Sequence, residues 1–128
     1  MRIDSVQVPN DIETLITAVT QTTTLTGAQK DGYVNADAVI FVANVTASSG
    51  TTPTLDIKIQ DSIDSGATWQ DTGIAFTQIT TVLATTSVRT TTPLAPMIRA
   101  VCTIGGTTPS YTFTVRAYGK AKKVIVGS

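Results

Sequence analysis

GTTPTLDIKIQ at residues 50–60 and GTTPSYTFTVR at residues 106–116 are two renderings of one eleven-residue phrase. The apolar residues keep their places, as Leu55/Tyr111, Ile57/Phe113 and Ile59/Val115. The polar residues between them change freely, as Asp56/Thr112, Lys58/Thr114 and Gln60/Arg116. Successive side chains of a strand point to opposite faces, so a period of two marks a strand with one face on a core. The phrase therefore predicts two strands of one design, with the six changing positions turned outward and available to a partner.

Upstream of the first copy, VIFVANVTA (39–47) alternates, setting Phe41, Ala43, Val45 and Ala47 on one face. Upstream of the second, Ile98, Ala100, Cys102 and Ile104 do the same. Between each pair of runs stand residues rich in Gly and Pro, Ser48–Pro53 and Gly105–Pro109. Gly tolerates positive φ and Pro cannot donate to a ladder, so each reads as a turn and each copy as the return strand of a β-hairpin. A third Thr-Thr-Pro at 91–93 has no alternating run behind it, so the alternation carries the signal.

Shorter strands are expected over Ile74–Ile79 and Ser87–Arg89, and Lys122–Val126 is placed at a sheet edge. Residues 11–26 also fit a helical face through Ile12, Leu15, Ile16 and Val19, but the threonine run at 22–24 argues for a strand over Leu15–Leu25. A Gly-containing loop over 26–35 follows. Strand and turn signals recur about every ten residues, which points to an all-β antiparallel β-sandwich, immunoglobulin-like or jelly-roll. The domain is placed at 13–120, with an N-terminal arm at 1–12 and a C-terminal strand or tail at 121–128.

The 128 residues suffice for one core, and 26 of them are threonine, a strand former. Nine basic and nine acidic side chains cancel, and charged residues are 14% against a usual value of about 25%. Neither nucleic acid nor an anionic membrane is implied as a partner. The N-terminal residues lack the apolar core of a signal peptide and no run is long enough to span a membrane, so a soluble protein made in the cytosol is expected. With no His, one Cys and one Glu (Glu13), the usual general bases and nucleophile pairs are missing, and no enzyme is expected. Cys102 reads as a small buried apolar residue. Arg116, Lys120, Lys122 and Lys123 form a basic patch, read as a charged edge strand that resists aggregation.

Ser62-Ile63-Asp64-Ser65-Gly66-Ala67-Thr68-Trp69 matches S-x-D-x-G-x-T-W, a pattern that resembles the Asp box of sialidases. In such a turn Asp64 accepts hydrogen bonds from turn amides, Gly66 takes a positive φ and Trp69 packs back beneath. Ser62, Asp64, Gly66, Thr68 and Trp69 are read as structural, because one copy cannot build a propeller. Asp31 to Asp37, and the group Asp56, Asp61, Asp64 and Asp71, offer hard oxygen ligands for calcium but lack the EF-hand spacing, so solvated turn carboxylates are favoured and no metal or cofactor is assigned.

VTASSGTTPTLDIKIQDSIDSGATWQDTG, followed by a Thr-rich strand pair and IRAVCTIGGTTPSYTFTVRAYGK, resembles the small β-sandwich virion proteins of tailed bacteriophages over about Leu15 to Lys120. The resemblance implies a capsid decoration, or cement, subunit that binds the major capsid protein or other virion proteins. It also implies a homo-oligomer, a trimer at local threefold positions among the forms expected, and location in the virion. Tail or neck placement is the alternative within this class; a carbohydrate- or receptor-binding module using Trp69, Tyr33, Tyr111 or Tyr118 is the alternative outside it.

Overall fold

The computed structural model describes residues 13–81 and 83–121. The chain is all-β: β1 (Glu13–Gln21), β2 (Leu25–Thr26), β3 (Ala36–Ser62), β4 (Gln70–Ala75), β5 (Leu83–Thr90) and β6 (Met97–Ala121), with one short 3-10 turn at Tyr33–Asn35. The expected arm at 1–12 and the tail at 122–128, including the strand placed at Lys122–Val126, lie outside the described residues.

The two expected hairpins are absent. β3 runs unbroken for 27 residues through the first GTTP, β6 runs through the second, and the two strands pair antiparallel with each other from Ala36↔Ala121 to Ser62↔Met97. The two copies of the phrase cross at the middle of this ribbon, with Thr51 opposite Thr107. On one side of that rung Gly50 opposes Thr108-Pro109; on the other, Gly106 opposes Thr52-Pro53. Each step sets two residues against one, the signature of a β-bulge.

The crossing is pseudo-symmetric down to its atoms. Gly50 and Gly106 have φ of 108° and 114°, and Thr52 and Thr108 have φ of 47° and 46°. Thr52 Oγ1 donates to the Thr51 carbonyl and Thr108 Oγ1 to the Thr107 carbonyl, each at 2.8 Å. A Cβ on Gly50 would lie 2.7 Å from the Thr108 carbonyl oxygen, and one on Gly106 2.8 Å from that of Thr52. Gly and Pro, read from the sequence as turn residues, instead build a double bulge in which each glycine makes room for the Thr-Pro of the other copy. Pro is tolerated there because the bulge leaves its missing N–H without a ladder partner to fail.

All six strands belong to one antiparallel sheet, in the order β1-β6-β3-β4 with β2 on β6 and β5 on β3, and the bulges divide its central ribbon into two arms. In the first arm, the early half of β3 and the late half of β6 are flanked by β5 and β1. In the second arm, the late half of β3 and the early half of β6 are flanked by β4 and β2. Phe41, Ala43, Val45, Phe113 and Val115 from the first arm join Leu55, Ile57, Ile59, Ile98, Ala100 and Cys102 from the second in one buried cluster. The inner faces meet, so the outer faces look away from each other.

Ala47, expected inward, is exposed, because a register shift between Val45 and Ala47 reverses the alternation. The strand expected over Leu15–Leu25 is interrupted at residues 22–24, and β2 crosses to the second arm, where Leu25 pairs with Cys102. Gly27 N–H to Ala100 O (2.8 Å) and Ala28 N–H to Leu15 O (3.0 Å) then tie the two arms along this side. Tyr111 ties them through the core, its hydroxyl donating to the Ile79 carbonyl at 3.0 Å. The strand expected over Ile74–Ile79 begins earlier, at Gln70, and beyond Ala75 survives as the Ile79–Leu55 bridge. β6 is flanked on both sides, so Arg116 sits on a central strand and not on the charged edge expected for it.

Candidate functional site

Two outer faces and one turn carry the polar chemistry. The turn joins β3 to β4. Ser62, buried at the end of β3, accepts the Gly66 N–H through Oγ (2.9 Å) and donates to Asp64 Oδ1 (2.7 Å). Asp64 also accepts the Thr68 N–H at 2.9 Å and the Thr68 hydroxyl at 2.6 Å. Gly66 has φ 90°, and its carbonyl accepts Trp69 Nε1–H at 3.1 Å. These donors, the Thr68 hydroxyl first, hold the Asp64 pKa down to about 2. All five residues singled out in the sequence act within the turn itself.

The outer face of the second arm is a closed polar lattice. Lys58 Nζ lies 3.2 Å from Asp71 Oδ2, and Gln60 Nε2 donates to Asp71 Oδ1 at 2.9 Å. Those bonds, Gln60 first, lower the Asp71 pKa. Arg99 Nε donates to Gln60 Oε1 at 2.9 Å, and its guanidinium stacks 4.3 Å from the centroid of the Trp69 ring. Gln78 Nε2 reaches both Asp56 oxygens at 3.1 and 3.2 Å. Asp56, Lys58 and Gln60 thus have local partners; Lys58 and Gln60 connect through Asp71 and Arg99 to Trp69 of the turn, while the Asp56–Gln78 pair stands apart.

Thr112, Thr114 and Arg116 lie on the outer face of the other arm, so the six outward positions do not form one patch. Thr112 Oγ1 meets Thr20 Oγ1 at 2.9 Å. Thr114 and Arg116 line a shallow hollow of about 290 Å³ with Val42, Asn44 and Tyr118. This hollow was not singled out in the sequence; the signal for it lay in the half-apolar outward row Ile40, Val42 and Asn44. Of the basic patch read from the sequence, only the Arg116 side chain falls among those described.

Of the carboxylates raised as calcium ligands, Asp31, Asp56, Asp61, Asp64 and Asp71 each have their own local partners. Asp31 Oδ1 accepts the Gly32 N–H at 2.7 Å and Asp61 Oδ2 the Ala95 N–H at 3.0 Å. Among the described residues no three His, Cys, Asp or Glu side chains gather as a metal site would need. Burial pushes the Cys102 thiol up to about 12, which removes its thiolate at neutral pH. Tyr33 is fully buried, and burial followed by the neighbouring Glu13 carboxylate raises its pKa far above the ordinary value, although neither the Tyr33 hydroxyl nor Glu13 Oε1 meets a partner in hydrogen-bonding geometry. No helix among the described residues is long and apolar enough to cross a membrane.

No protein-family model and no curated protein sequence matches the chain. Among solved structures, the crystal structure of the PBSX exported protein XepA aligns with a TM-score of 0.57 at 16% identity. The likeness is one of fold. It covers 91% of this chain and 39% of XepA, so the chain spans well under half of XepA's length.

Proposed function

We propose that the chain is a structural component of a phage particle, and within that class a decoration subunit that binds the assembled head. The observation that carries this reading is the fold likeness to XepA of phage PBSX over 91% of the chain, which agrees with the phage-virion resemblance of the sequence. Its partner is the major capsid protein or another virion protein, and it works without a reaction centre, a cofactor, nucleic acid or membrane. A subunit that binds the intact shell and not the disrupted one stabilises the shell by mass action, and many equivalent sites add avidity.

Heads stripped of the protein should regain resistance to heat or osmotic shock when it is added back. Unchanged rupture after add-back excludes cement, and a density map of intact particles placing the chain on the tail or neck moves the reading there. The carbohydrate-binding alternative needs an open aromatic face. Arg99 covers one face of Trp69, which weighs against that alternative. Glycan binding by titration calorimetry that Trp69→Ala abolishes in a folded domain would revive it.

A further inference from the structure

The tip of the β3–β4 turn presents an apolar side chain on a rigid support. Ile63 is 77% exposed, the most exposed large hydrophobic residue described, with Val34 next at 45%. The hydrogen bonds of Ser62, Asp64 and Thr68 fix the backbone on both sides of it, so little ordering remains to oppose binding there. Around it, the segment 61–71 carries Asp61, Asp64 and Asp71 and no Lys or Arg. Two cations lie against it, Lys58 paired with Asp71 and Arg99 stacked on Trp69, so three aspartates still leave an excess of one negative charge.

The outer face of the first arm is the converse. Its hollow has Val42 and Tyr118 as apolar walls and Asn44, Thr114 and Arg116 as polar ones. Cross-strand register sets Ile40 beside Tyr118 and Arg89, and Val42 beside Arg116 and Ser87. These outward positions hold two arginines and no acid, and neither arginine is in an ion pair among the described residues. The opposite face has a hollow of about 260 Å³ beside Asp56, Lys58, Phe76 and Val101, but its lining holds one charge of each sign and offers an acidic turn no net positive charge.

We infer that the hollow at Val42, Arg116 and Tyr118 receives the Ile63 turn of a second copy of this chain. Apolar meets apolar at the centre, and the exposed Asp64 of the turn, which has no cation partner among the described residues, meets Arg116 and Arg89 at the rim. Tip and hollow are different surfaces, so the contact is heterologous: each added copy leaves one tip and one hollow free, and assembly proceeds to a ring or an open chain. The inference does not depend on the phage reading, and its failure would leave the capsid add-back result untouched.

The test is sedimentation velocity on the purified chain and on Ile63→Asp and Arg116→Glu, each checked by circular dichroism for an unchanged fold. The wild type should assemble at about 100 µM, well above a micromolar dissociation constant. Each variant alone should weaken association at least about tenfold. An equimolar mixture should give pairs that grow no further, because Ile63→Asp retains a sound hollow and Arg116→Glu a sound tip. A monomeric wild type overturns the inference. So does assembly that survives both substitutions, and so does a mixture that fails to pair.

Discussion

At the residue scale, the crossing rests on two glycines whose missing side chains are filled by the opposite strand. Gly50→Ala and Gly106→Ala should each cost about 2 kcal/mol or more, because positive φ and a backbone clash combine. Gly73→Ala is the comparison: its φ is 85° but nothing lies within 4 Å of the added carbon, so it should lose only the strain share, about 1 kcal/mol. Urea melts of the three variants measure the difference. The double variant at Gly50 and Gly106 should depart from the sum of the singles, since both sites share one crossing.

Asp64 makes a second prediction at this scale. Its folded pKa of about 2 lies below the ordinary 3.8, so the folded state favours the ionised form. That contribution is fully present above pH 4 and is lost as pH falls through 2. The melting-temperature gap between wild type and Asp64→Asn should therefore be widest near neutrality and close between pH 4 and pH 2. A gap independent of pH would show that the carboxylate charge is not what the turn uses.

Among the elements, the inward rows were legible and the connections were not. Leu55, Ile57 and Ile59, and Tyr111, Phe113 and Val115, are buried where a period of two sets them. Ser48–Pro53 and Gly105–Pro109 were misread because a bulge and a turn draw on the same residues: both need positive φ and both tolerate a missing donor. What separates them is which strand lies opposite, a long-range fact that local spacing does not encode. Repetition of the phrase was itself the available clue, since each Gly needs a Thr-Pro across from it. The turn at Ser62–Trp69 was readable because its partners lie within eight residues of one another. The hollow beside Arg116 was not, because its walls come from β3 and β6, strands that meet only in the folded ribbon.

Over the whole molecule, the ribbon dominates, and its rungs differ widely in the loop each must close. Ser62 and Met97 are 35 residues apart, while Ala36 and Ala121 are 85 apart. Such topologies fold in milliseconds to seconds. The rungs nearest β4 and β5 close the shorter loop, so zipping should run from Ile98 toward Val39. In stopped-flow chevrons, Ile98→Val should slow folding, whereas Val39→Ala should chiefly speed unfolding. The reverse pattern would mean that the first arm nucleates.

The same ribbon sets a clock on biosynthesis. The early half of β3 leaves the ribosome long before its β6 partner, and at roughly 5–20 residues per second the wait for Ala121 after Ala36 is on the order of ten seconds. Until β5 emerges, about midway through that interval, the row of Phe41, Ala43 and Val45 has no opposite strand from its own chain, and its β6 side stays open for the rest, in a protein with few charges to keep neighbouring nascent copies apart. Yield on overexpression should then be governed by chaperone supply and growth temperature rather than by the stability of the finished fold.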